Sequence, residues 1–114
     1  MKLAIGNSVA VKPGTIDPDF DVDISGWRGR IEEIDREFVL IRWDSPTLKQ
    51  MPKKLIIDCE NENLDWEVMN LYKNDVEITT ERDSKTDTAK MAMQIKLQIM
   101  GDPLLNDDDD DDDD

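Results

Sequence analysis

The chain has 114 residues with 38% hydrophobic and 37% charged side chains, enough apolar content for one modest domain. Twenty-eight acids face 14 bases, a formal charge of −14, and eight of the acids form the terminal run Asp107–Asp114. Such a field repels nucleic acid and anionic membrane and attracts cations or basic proteins, so neither nucleic acid nor membrane is an expected partner.

Cys59 is the only cysteine and histidine is absent. An intrachain disulfide, a thiolate-rich zinc site and histidine-based acid–base catalysis are therefore excluded. No apolar run reaches 18 residues, and Met1–Gly6 is too short for a secretory leader. These features predict a cytoplasmic, monomeric, non-enzymatic protein.

Val9-Ala10-Val11-Lys12 reads as a short strand closed by Pro13-Gly14, followed by a polar loop over residues 15–26. Trp27–Ile34 and Phe38–Trp43 read as two further strands, and the gap Asp35-Arg36-Glu37 has the length of a tight hairpin. Phe38, Leu40 and Arg42 alternate with Val39, Ile41 and Trp43, leaving one face wholly apolar.

Pro52 suits the first turn of a helix in which Leu55, Ile56 and Cys59 share a face, with Asn61 and Asn63 ending it. Asp44 is placed to cap the helical turn after it, and Asp65 to cap another through Met69. Leu71-Tyr72 and Val76–Thr79 return to strand character.

In residues 90–100, Met91, Met93, Ile95, Leu97 and Ile99 alternate with Ala92, Gln94, Lys96 and Gln98. That alternation predicts a half-buried strand, although Met, Ala, Gln, Lys and Leu are also good helix formers. The expected fold is thus α+β: a small antiparallel SH3-like β-barrel with a short helical insertion and an acidic, disordered C-terminal tail. Its expected divisions are an SH3-like domain over 1–80, an extension with an extra strand over 81–106, and the aspartate tail over 107–114.

Asp17, Asp19, Asp21 and Asp23 occupy every second position of the first long loop. Ca2+ takes about six to eight hard oxygen ligands, commonly carboxylates and backbone carbonyls. Alternate carboxylates reach one ion only if the backbone curls, because on a straight strand neighbours stand about 6.6 Å apart in a row. The competing reading is a solvated acidic loop.

In an SH3-like barrel the following hairpin would lie beside this loop, making Asp35 and Glu37 second-choice ligands. Ordinary turn chemistry, which favours Asp anyway, accounts for both residues slightly better. Asp21–Glu32 matches the loose EF-hand string, but Arg28 occupies the bridging aliphatic position and no helices flank it.

Trp27, Trp43 and Tyr72 suit core packing better than a cage for a methylated lysine. Cys59 reads as a buried, inert thiol. The aspartate tail suits diffuse attraction to a basic protein.

Several separate blocks carry a family resemblance: Ile5-Gly6, Val9–Lys12, Pro18-Asp19-Phe20, Gly26–Ile31, Trp43-Asp44-Ser45, Thr47-Leu48, Met51-Pro52, Cys59-Glu60, Leu64-Asp65-Trp66 and Met69. Together they resemble the cyanobacterial calcium-binding protein family over roughly residues 1–80. The resemblance implies a small acidic Ca2+ binder that buffers cytoplasmic Ca2+ during heterocyst differentiation and becomes more compact when loaded. Asp19, Asp35 and Asp44 fall in blocks resembling the family, without an assigned ligand role for each. The expected function is reversible Ca2+ binding as a buffer or sensor. The alternative is an acidic module that docks a basic partner, with nucleic-acid mimicry a weaker third.

Overall fold

The computed structural model describes residues 2–17 and 19–101, so the expected aspartate tail lies outside the described residues. Five strands form one antiparallel sheet in the order β4-β3-β2-β1-β5. They are β1 (Ser8–Val11), β2 (Arg28–Ile34), β3 (Phe38–Trp43), β4 (Val68–Tyr72) and β5 (Val76–Ile78). Helices α1 (Ser45–Gln50) and α2 (Lys53–Asn61) interrupt the sheet between β3 and β4, and α3 (Lys85–Met100) follows it.

The sheet is not a closed barrel, since β4 and β5 are its two edges and do not pair. It is nevertheless strongly curled. In a flat sheet those edges would be four strand spacings apart, about 19 Å. Only a 3₁₀ turn, Lys73–Asp75, connects them, and at about 2 Å of rise per residue it bridges less than half that distance. A register shift between Ile31 and Glu33 marks a bulge in β2, which adds bend and twist.

Gly29 permits the tight β2–β3 approach. A Cβ there would lie 2.3 Å from the Arg42 carbonyl oxygen and 2.6 Å from Ile41 Cγ2.

The alternation in β3 is realised: Val39, Ile41 and Trp43 are fully buried, while Phe38, Leu40 and Arg42 are half-buried. Trp27 stands edge-to-face against Trp43 at 5.3 Å between ring centres, inside the core. Tyr72 departs from the core role expected of it. It is 53% exposed and stacks on Phe38, its register partner across β3 and β4.

Asp44 caps α1 as expected, accepting a hydrogen bond from the Thr47 N–H at 3.0 Å. Pro52 precedes α2, whose Leu55, Ile56 and Cys59 are buried. Asp65 caps no helix. Its carboxylate accepts from the Glu67 N–H in a turn that leads into β4.

Residues 90–100 form part of a helix, which corrects the expected extra strand. Ser84 and Asp87 make a reciprocal capping box, so two otherwise unpaired N–H donors are satisfied where α3 starts. Thr88, Ala92, Ile95 and Ile99 then recur at helical spacing, with Thr88, Ala92 and Ile99 buried and Ile95 packed against the core. The apolar residues of this stretch satisfy both periods, and helix propensity with the cap decides between them. Among the described residues, no helix is long and apolar enough to cross a membrane.

Candidate functional site

The loop between β1 and β2 is a folded arm. Its two limbs are tied by backbone hydrogen bonds from Gly26 to Val11, from Ile24 to Thr15 and from Asp17 to Val22. Ile16 and Asp23 form an isolated antiparallel bridge. Towards the tip, the Asp21 N–H donates to the Asp17 carbonyl and Asp21 adopts φ of +58°, a left-handed conformation that Asp tolerates better than most residues. The curl that cation binding requires is therefore built into the backbone.

The alternation sorts side chains by face. Phe20, Val22 and Ile24 turn towards the core, Ile24 completely, while Asp19, Asp21 and Asp23 are exposed. This periodicity anchors the arm and corrects the reading of residues 15–26 as a polar loop, which took account of the aspartates and not of the apolar residues interleaved with them.

Asp17 differs from the other three. It is 2% exposed, and its two carboxylate oxygens accept from the N–H groups of Asp19 at 3.3 Å and Phe20 at 3.1 Å. Asp17 thus holds the turn. Asp23 accepts from the Ser25 N–H at 2.9 Å, and hydrogen bonding at Ser25 holds its carboxyl below the ordinary range.

Asp35 and Glu37 do not lie beside the arm. Both are exposed in the β2–β3 turn, where Asp35 bonds across to Phe38 and the Glu37 carbonyl accepts from Lys73 N–H. Asp17 and Asp19 instead line a cavity with Trp43 and Val68, at the opposite end of β3. The two ends of β3 are separated by about 17 Å of strand. The arm enters β2 at Arg28 and the hairpin leaves it at Ile34, so the two stand at opposite ends of that strand, and the arm meets α2 and the approach to β4 instead.

That cavity has a volume of about 180 Å3. Phe20, Trp27, Trp43 and Trp66 contribute aromatic wall, and Asp65 joins Asp17 and Asp19 as an acidic component. Trp66 is 4% exposed, and its indole N–H donates to Glu60 at 2.7 Å. The Trp43 indole N–H, although completely buried, has no hydrogen-bond partner among the described residues.

Cys59 also lines the cavity, with its thiol pushed up to about 11 by burial first and by nearby Asp17 and Asp58 second. The protonated thiol is a poor nucleophile and a poor metal ligand, which agrees with the inert role expected of it. Sequence reasoning missed Trp66 and Asp65 as site residues, because only the tertiary fold brings the approach to β4 against the arm.

Among the described residues no group of three or more acids or cysteines is arranged to hold a metal ion. The carboxylates of Asp19, Asp21 and Asp23 repel one another, and the arm presents these three outward rather than around a common centre. Asp44 is separately committed. It receives two hydrogen bonds of 2.9 Å from Arg82, in addition to capping α1.

No family model, curated protein or solved structure compared with the chain matches it.

Proposed function

We propose that this protein binds Ca2+ reversibly through the aspartate arm and serves as a cytoplasmic calcium buffer or sensor without catalysing a reaction. The observation that carries this reading is the arm's curl: Asp17 and Asp21 fold the turn, and Asp19, Asp21 and Asp23 remain exposed on it. Backbone carbonyls and water complete the oxygen shell such an ion needs. Asp17 acts by shaping the turn. Asp35 and Glu37 drop out of the ligand set because they stand at the other end of β3.

Drawing the carboxylates together costs conformational entropy, so affinity is modest and loading compacts the arm. The SH3-like reading of the fold is supported by the strand order and by the 3₁₀ turn that carries the chain to β5.

Calorimetric Ca2+ titration in physiological salt with millimolar Mg2+ tests the proposal. Saturable binding that Asp19→Asn or Asp21→Asn weakens at least tenfold supports it. Binding unaltered by both substitutions, or no binding at all, refutes it.

A second reading is favoured by the acidic, aromatic cavity beside the arm: a module that accepts a basic partner. Attachment of that kind weakens steeply as ionic strength rises, whereas an ion in a convergent site is less affected.

A further inference from the structure

Helix α3 carries a surface that the Ca2+ reading does not use. Its buried face is Thr88, Ala92 and Ile99, yet Met93 and Leu97 are 57% and 61% exposed, and Ala89 is exposed one turn before them. Ala89, Met93 and Leu97 follow one another at intervals of four residues, so they form one apolar stripe on the outer side of the helix. By helical geometry Lys85 and Lys96 flank that stripe on one side and Lys90 on the other.

The charge of this helix is opposite to that of the molecule. It holds three lysines and one aspartate, in a chain of formal charge −14. Lys96 pairs with Glu67, whereas none of the described ion pairs includes Lys85 or Lys90. Of the acids lining the cleft between α3 and β2, Glu32 and Glu67 are held by Arg42. An exposed apolar stripe between lysines fits an acidic segment that also carries apolar side chains. Two such stripes facing one another would set lysines against lysines.

The chain itself supplies a segment of that kind. Beyond α3 the sequence runs Asp102-Pro103-Leu104-Leu105-Asn106 and then Asp107–Asp114, all outside the described residues. Leu97 and Met93 lie about 6 and 12 Å along the helix from Gly101, and Lys90 and Lys85 about 17 and 24 Å. At up to about 3.3 Å per residue, Leu104 and Leu105 reach about 10 and 13 Å from Gly101, and Asp107–Asp114 about 20–43 Å. The leucines therefore reach the stripe, and the aspartates reach the lysines. So short a tether keeps the segment at a millimolar effective concentration, which a separate acidic partner has to overcome.

We propose that Leu104–Asp114 folds back along α3, with Leu104 and Leu105 against Met93 and Leu97 and the aspartates against Lys85 and Lys90. The stripe is covered in this state, and it opens when salt or a basic partner draws the aspartates off.

The test uses the full chain with chelator present, in low salt, carrying a nitroxide at Asp110→Cys. Cys59 is buried and its thiol is pushed up to about 11, so the label goes to position 110. The amide signals of Ala89 and Met93 are followed by two-dimensional nitrogen–proton NMR. The nitroxide should broaden both. Leu104→Ser with Leu105→Ser, and separately Lys85→Gln with Lys90→Gln, should each reduce that broadening by roughly threefold or more, the scale of two lost contacts. Lys85 and Lys90 are exposed, so their replacement leaves the fold intact.

Absence of broadening overturns the proposal, as does broadening that either double variant leaves unchanged. A nitroxide chain mixed with an isotope-labelled chain lacking the nitroxide reports contact between copies. Broadening in that mixture as strong as within one chain also overturns it.

Discussion

Aspartates do opposite jobs in two regions of this molecule. In the connector before α3, Asp83 bonds to Arg30, Ser45 and Thr88, while Arg82 reaches Asp44 and Thr47. These contacts pin the connector to β2 and α1. In the arm between β1 and β2, none of the described ion pairs includes Asp17, Asp19, Asp21 or Asp23. The residue type is the same, and the supply of guanidinium groups differs. Where arginine is within reach, the carboxylate is consumed by ion pairs of the fold; on the arm Asp17 is consumed by backbone N–H groups instead, and Asp19, Asp21 and Asp23 stay exposed.

The largest expected effect comes from breaking the paired region. Asp44 is 4% exposed, caps α1 and bonds to Arg82, so Asp44→Ala removes a cap and strands a guanidinium. Breaking a fully buried pair costs about 3–5 kcal/mol, but the Arg82 side chain is a third exposed, which lowers the expected loss to about 2–3 kcal/mol. The urea midpoint should fall accordingly. Asp21→Asn, on the exposed arm, should shift stability by less than about 0.5 kcal/mol. Comparable losses in the two variants would dissolve the contrast between the regions.

Acidification sharpens the same contrast. Burial pushes the Asp83 carboxyl up, but hydrogen bonds from Ser45, Thr88 and Arg30 outweigh it and hold the group below its ordinary value of 3.8. A carboxyl lowered by folding contributes stability that is fully present above the unfolded pKa and lost as pH falls through the folded one. Stability should therefore decline below about pH 4, and Asp83→Asn should flatten that decline while lowering stability at pH 7. An acid limb of unchanged steepness in Asp83→Asn would place the linkage elsewhere.

Much of the sheet was legible because its signals are local. Val39, Ile41 and Trp43 alternate with partners of different burial, and Asp35–Glu37 spans a turn of hairpin length. The spacing of the arm's aspartates was visible as well, and so was Asp44 as a cap, whereas the burial of Ile24 was not. The α3 error has a particular cause: Met91, Met93, Ile95, Leu97 and Ile99 satisfy period two, while Ala92, Ile95 and Ile99 satisfy the helical period. Ser84 and Asp87 held the deciding information, and the reading, which set alternation against helix propensity alone, did not use it. The position of Trp66 and Asp65 against the arm depends on sheet curvature, which no local pattern specifies.

The smallest expected effect tests the separation of the arm from the hairpin, which stand at opposite ends of β2. Asp35 and Glu37 were ligand candidates only on the assumption that hairpin and arm lie side by side. The structure sets Glu37 next to Lys73 at one end of β3, and Asp19 in the cavity lined by Trp43 at the other. Direct coordination needs oxygens at about 2.3–2.6 Å from the ion, so carboxylates at the far end of the strand contribute only long-range field. Water and salt screen that field within about 10 Å. The double variant Asp35→Asn with Glu37→Gln should therefore change Ca2+ affinity by less than about twofold, beside the tenfold or greater loss expected for Asp19→Asn. A tenfold loss in the double variant would mean that the hairpin folds onto the arm when the ion binds, and that the curled sheet closes further than it does here.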